Sequence, residues 1–380
     1  MKNSVLLFSF LLIFNSIIHA QEVIENPEKP LSKNAERTLK LIEKLRITDQ
    51  PDFFYLRSPS DLKMTEDGHI YIADFFGNNF LRFSPKGEFL KNLYRKGEGP
   101  GEIRQQFGYS LSPDCAYIYD YIGRKIIVMD HEGEFLSEFK FETVGYSVFL
   151  GIYKDWLVFI KDVWPPPADW KTSGFYEIKR KIIKLSKDGK TSEENYLFSQ
   201  KIFLVASSLS RHLTIPIDIL ENGTSFGGRG MAWDPFDSLL DVNSGYLYVS
   251  NTRDYLIHVL DLNKGKVIRS FKRKYKRVSH EIGPEEKDYI KKYDAPSKKH
   301  KEDIERLFLY NGLLWVVTST KDEKQGKMID VFNNKGQFLD NFYLFYDGYL
   351  SSVQDKFLFV VKSDEEGNYI IKKCVLEDEN

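Results

Sequence analysis

The sequence predicts an all-β chain: a six-bladed β-propeller of four-stranded antiparallel blades, with a short N-terminal extension and helical insertions on one face. A template of alternating apolar residues recurs along the chain, a Gly turn closes most copies, and the last copy stops one strand short. Aromatic residues make up 15% of the chain, a share that suits pleated, half-buried surfaces.

The elements follow in chain order. Lys2, the apolar run from Val5 to Ile18 and the small Ala20 read as a signal peptide over 1–20, cut before Gln21. The run is shorter than the roughly 18 apolar residues of a spanning helix, so an uncleaved anchor is the lesser reading, and no later stretch is long enough to span. No cysteine follows the run, which speaks against lipid attachment there. A periplasmic or secreted protein is expected. Losing Lys2 takes the formal charge from −1 to −2, and near-neutrality gives no long-range attraction to nucleic acid or anionic membrane. A monomer is the expected state. Cys115 and Cys374 are too few for a disulfide framework and sit in strand-like runs, as buried thiols do.

Residues 21–50 form an N-terminal extension ahead of the propeller at 51–380. Within it "LRITD" (45–49) is a candidate for the outer strand that the last copy lacks, while "KNAERTLKLIEKLR" (33–46) has Leu spacing that also permits a surface helix. The first copy is "GHIYIADFFGNNFLRFSPKGEFL" (68–90), and "CAYIYDYIGRKIIVMDHEGEFL" (115–136) repeats it in register: 13 positions separate Asp74 from Gly87 and Asp120 from Gly133. The third copy is split between "DWLVFIKD" (155–162) and "IIKLSKDG" (182–189). The fourth is "GYLYVSNTRDYLIHVLDLNKG" (245–265), the fifth "GLLWVVTS" (312–319) with "MIDVFNNKGQFL" (328–339), and the sixth "KFLFVVKSDEEGNYIIKKCVL" (356–376). One such meander cannot bury its own face, whereas six packed radially can.

Over 59–74 "PSDLKMTEDGHIYIAD", continued by "LRFSPKGEF", resembles an NHL repeat. "GEGPGE" at 97–102 resembles the linker of exported bacterial proteins of the six-bladed β-propeller family. The resemblance covers most of 51–376, is strongest over 59–141, and weakens after 272. It implies the blade and leaves the activity open.

Loops joining second to third strands, and one blade to the next, open on one face of a propeller. The segments 94–106, 163–178, 199–235, 272–304 and 320–327 all belong to that group, and the other face is trimmed to "TEDG", "NSG" and "NG". Insertions mark the binding face of repeat proteins. There "VWPPPADWKTSGF" offers Trp164 and Trp170 as a stacking platform or as caps on the blade core. "SFGGRGMAWDPFD" offers Arg229 and Trp233, the guanidinium suited to a carboxylate or phosphate. The stretch 272–301 has 11 Lys or Arg against five acids and reads as a solvated helical cap in preference to a basic docking patch.

Catalytic signatures are weak. "GTSFG" around Ser225 has nucleophile-elbow spacing, but the following "GRG" and Pro235 do not continue a helix. Zinc spacing is absent. Asp74, Asp120 and Asn251 occupy equivalent positions at the ends of second strands, where three oxygens at one level of a ring could hold calcium. Alternatively each accepts backbone hydrogen bonds, the role the NHL resemblance implies for that Asp. The primary reading is an exported, non-catalytic propeller recognising a small molecule, glycan or peptide through Trp164, Trp170, Arg229 and Trp233, with no cofactor. The competing reading is a calcium-dependent, lactonase-like hydrolase or lyase with His212 or His258 carrying a proton.

Overall fold

The computed structural model describes residues 23–105, 107–141, 147–163, 174–204, 231–232, 236–294 and 296–377. Six separate sheets follow the six copies. The first blade runs Pro59–Met64, Ile70–Asp74, Asn79–Phe83 and Phe89–Asn92, each strand antiparallel to the next. The second strand of each blade is an apolar run with a buried centre, and in the first blade "IYIAD" is buried along its whole length, because sheets cover both its faces. The innermost strand of every blade touches the innermost strands of both neighbours, so the ring closes around an axis.

Each gap between blades has its own core. Tyr71, Phe80, Phe107 and Tyr109 fill the gap between first and second blades, and Phe271, Phe332 and Phe338 that between fourth and fifth. Ring centroids 4.7 Å apart for Phe80 and Tyr109, and 5.0 Å for Phe271 and Phe332, put these rings in direct contact. Each such buried side chain contributes about 1.5–3 kcal/mol relative to exposure.

The recurrent Gly turn is part of these interfaces. Gly87, Gly133, Gly189 and Gly336 all have φ between 72° and 84°, the left-handed region that favours glycine. A Cβ on Gly87 would stand 2.3 Å from Leu45 of the preceding blade, and one on Gly336 2.7 Å from Phe271. Each turn thus tucks under its neighbour's outer strand.

Three N-terminal strands wrap the rim. β1 (Val23–Asn26) lies parallel to the outer strand of the fourth blade, and β2 (Arg37–Leu39) parallel to that of the fifth. β3 (Leu41–Ile47) pairs antiparallel with Tyr369–Leu376 and is the fourth strand of the sixth blade. The stretch 33–46 is therefore not the surface helix its Leu spacing permits: β2 and β3 occupy it, because sheet edges outcompete a marginal isolated helix. Asn26 locks the wrap, donating to the Lys272 and Gly336 carbonyls at 3.0 and 2.9 Å and accepting from the Phe338 amide at 2.9 Å.

Among the described residues helical insertions in the plural are not found. The described residues contain one α-helix, α1 (Pro284–Tyr293), between the fourth and fifth blades, with Pro at its start and Asp294 in the left-handed conformation at its end. Nor is 320–327 a long loop: the hairpin strands Leu313–Asp322 and Gly326–Phe332 extend through it and leave three residues at the tip.

Candidate functional site

The face carrying the long connections is built on a repeated Asp-x-x-Gly turn. In the first blade the Asp74 carboxylate accepts the amides of Arg57 (2.8 Å), Ser58 (2.7 Å) and Gly77 (3.1 Å), and the Asn79 side chain at 3.3 Å. Asp120 likewise accepts the amides of Arg104, Ile122 and Gly123 at 3.2, 3.1 and 2.8 Å. Both side chains are fully buried. A Cβ on Gly77 or Gly123 would meet the carboxylate at 2.3 Å, so the spacing of Asp and Gly is one requirement of the turn. Each carboxylate holds the connection arriving from the preceding blade as well as its own turn.

Asn251 holds the equivalent position in the fourth blade, but the residue three further on is Asp254. A side chain there cannot make the same close approach, and the Asn251 Oδ1 is buried with no hydrogen-bond partner. Asp74, Asp120 and Asn251 belong to the first, second and fourth blades, so the ring positions between them are interrupted. Among the described residues no group of three or more His, Cys, Asp or Glu side chains is arranged to hold a metal ion.

Trp164, Trp170, Arg229 and Trp233 lie outside the described residues, as do His212 and Ser225. His258 sits in the third strand of the fourth blade, its Nδ1 2.7 Å from the Ser270 hydroxyl, and burial pulls its pKa below the ordinary imidazole value. Cys115 and Cys374 are free thiols, Cys115 half-buried against the Ser112 hydroxyl at 3.3 Å and Cys374 buried. Burial pushes the Cys374 thiol up to about 11.

A buried network joins fourth and fifth blades on the same face. Arg273 donates to Asp330 through Nε at 2.6 Å and Nη2 at 3.1 Å, and Tyr255 donates to the same carboxylate at 2.5 Å. The guanidinium lies 4.9–5.3 Å from the rings of Tyr255, Tyr275 and Phe338. Burial raises the Asp330 pKa, and the adjacent Arg273 opposes that shift. Asp303 accepts from Arg277 at 2.9 Å and from the Tyr255 amide at 3.1 Å. Two cations of the basic stretch are thus spent inside the molecule. An acid in the apolar run "MIDVF" is the signal for this network, whereas its partner 57 positions earlier has none.

Two concavities open on this face. One, of about 310 Å³, lies beside the 97–102 loop, and four of its five charged side chains are paired within the wall, Arg104 with Glu98 and Lys125 with Glu138, each at 2.9 Å, with Lys140 the fifth. The other, of about 330 Å³, lies where the chain passes from the sixth blade to the first. Thr48, Asp49, Pro51 and Tyr55 form one wall, and the Asp364–Asn368 turn with Tyr369 the other. Sequence reasoning found neither concavity.

Residues 41–203 match the family model DUF5128, described as a 6-bladed beta-propeller. No curated protein matches the chain. Among solved structures the chain is similar to a Bacteroides fragilis protein named as exported: 12% identity, TM-score 0.52, covering 94% of this chain and 100% of that one. It is also similar to a member of the DUF4221 family from Bacteroides vulgatus, again at 12% identity, with a TM-score of 0.53 and coverage of 90% and 100%. These likenesses carry the fold.

Proposed function

We propose that this protein is an exported binding propeller whose loop-rich face takes a small molecule, glycan or peptide, with Trp164, Trp170, Arg229 and Trp233 as contacts. The observation that carries the reading is the division of labour between faces. Among the described residues the long connections 94–105 and 272–304 lie on one side of the ring, while Gly turns and tight hairpins finish the other. The carboxylates of Asp74 and Asp120 are engaged by backbone amides, which favours a scaffold for those loops over a cation seat. Export rests on the Lys2, Val5–Ile18 and Ala20 pattern, and no helix among the described residues is long and apolar enough to cross a membrane.

The test uses the mature chain, residues 21–380, on glycan and peptide arrays beside a Trp164→Ala/Trp170→Ala variant. Lost binding at unchanged stability supports the reading, and binding that survives in the variant removes those two contacts from it. A stoichiometric calcium ion whose chelation lowers the unfolding midpoint, or hydrolysis in a lactone and ester screen, overturns the non-catalytic reading.

A further inference from the structure

We infer that the cavity between the sixth-blade turn and the connection into the first blade is a seat for a neutral sugar ring; this rests on the loop-rich-face reading above. Its volume, about 330 Å³, is at the small end of ligand pockets, which run from about 300 to 1,000 Å³. That suits one or two pyranose rings.

The wall has the two parts that sugar recognition needs. The exposed Tyr55 ring is the aromatic element of the wall that could stack on the C–H face of a sugar, while Tyr369 lines the opposite side and is partly packed against the core between sixth and first blades. Polar atoms able to serve hydroxyl groups lie in the same wall: among the described residues the Thr48, Tyr55 and Tyr369 hydroxyls and the Asn368 side-chain Oδ1 have no partner, whereas the Asn368 backbone carbonyl accepts the Asp364 amide at 2.9 Å. Asp49 uses one carboxylate oxygen on the Leu56 amide, at 2.7 Å, and leaves the other.

The same bonds fix the wall in advance. Asp49 holds the residue after Tyr55, the Asn79 side chain donates to the Tyr55 carbonyl at 2.9 Å, and the Arg57 guanidinium lies 5.6 Å from the Tyr55 ring. On the opposite side Asp364 accepts the amides of Glu366 and Asn368, at 3.0 and 2.8 Å, and sets the turn. A wall ordered before binding loses little entropy on binding.

Charge selects against other ligands. The lining itself carries two acids, Asp49 and Asp364, and the one cation placed against it is Arg57, 5.6 Å from the Tyr55 ring, so acids outnumber bases and phosphates and carboxylates are disfavoured. Asp364 is committed to its own turn, so only one carboxylate oxygen faces an organic cation, against several groups able to serve hydroxyls. The balance favours a neutral polyol.

The mature chain is titrated with glucose, galactose, mannose and N-acetylglucosamine and their β1,4-linked dimers by ligand-observed NMR, with tetramethylammonium and inorganic phosphate alongside. Saturable binding of at least one sugar in the low millimolar range is expected, the affinity that a ligand of this size reaches. Tyr55→Ala, a change at an exposed ring, should weaken it at least about tenfold, and Thr48→Val a few-fold, both at an unchanged unfolding midpoint. Preferential binding of tetramethylammonium, or no saturation by any sugar, overturns the inference. Sugar binding lost in Trp164→Ala/Trp170→Ala yet intact in Tyr55→Ala also overturns it while leaving the loop-rich-face reading in place. A chain that binds nothing on the glycan and peptide arrays and no sugar in the NMR titration removes both.

Discussion

Replacing Asp74 separates a scaffolding carboxylate from a metal ligand. The buried side chain accepts three backbone amides and one side-chain amide, two of the three from the connection that leads from the closing strand into the first blade. A hydrogen bond to a charged acceptor contributes about 1.5–3 kcal/mol, and an orphaned buried donor costs about 1–3. The four bonds act as one unit, so their losses do not add. Asp74→Ala should therefore cost about 3–5 kcal/mol. Asp74→Asn keeps the volume but turns an NH₂ group toward two donors, whichever way the amide faces: Oδ2 receives Arg57 and Asn79, and Oδ1 receives Ser58 and Gly77. It should cost about 2–3 kcal/mol. The assay is equilibrium urea unfolding of residues 21–380, followed by fluorescence, in chelator and again with calcium. A scaffolding carboxylate loses the same stability in both buffers. A loss below about 1 kcal/mol in chelator, or one confined to calcium, would refute it, since a carboxylate that bonds only amides has no reason to sense the ion.

Three other outcomes follow from the same structure. Asp330→Ala strands the buried Arg273 guanidinium and should cost about 3–5 kcal/mol by urea unfolding. The double variant Asp330→Leu/Arg273→Met should cost much less than the sum of its single changes, and additive losses would deny the coupling. Asn26→Ala removes three hydrogen bonds across the fourth and fifth blades and should cost about 2–4 kcal/mol, with faster hydrogen exchange in β1 and β2 than in the blades. Burial lowers the folded pKa of His258, so the unfolded chain binds the proton more readily. Stability should fall as pH drops through the unfolded imidazole value of about 6.5, and His258→Gln should remove that component from the pH profile. An unchanged profile would mean that the folded imidazole titrates normally.

The sequence by itself determined the blade. Strand alternation, the closing Gly and the Asp at the end of the second strand are local requirements: a pleat two residues in period, a positive φ, and a carboxylate within reach of nearby backbone amides. Such requirements leave a repeating trace, and the trace gives the six blades and the face where the long connections lie. The tertiary structure alone decided what depends on partners far apart in the chain. The missing strand of the sixth copy already points to "LRITD" (45–49) as its closing strand, but the start of β3 at Leu41 and the presence of β2, in a stretch of helix-like Leu spacing, depend on blade edges more than 300 positions away that offer unpaired strands. Arg273 reads as one more surface cation until Asp330 is beside it. The cavity has one wall from Thr48–Tyr55 and the other from Asp364–Ile370, so it exists only after the ring has closed. No local pattern encodes such a meeting, because the entropy of closing so long a loop is offset by the blade edges and interfaces and leaves no periodic mark on the residues that meet.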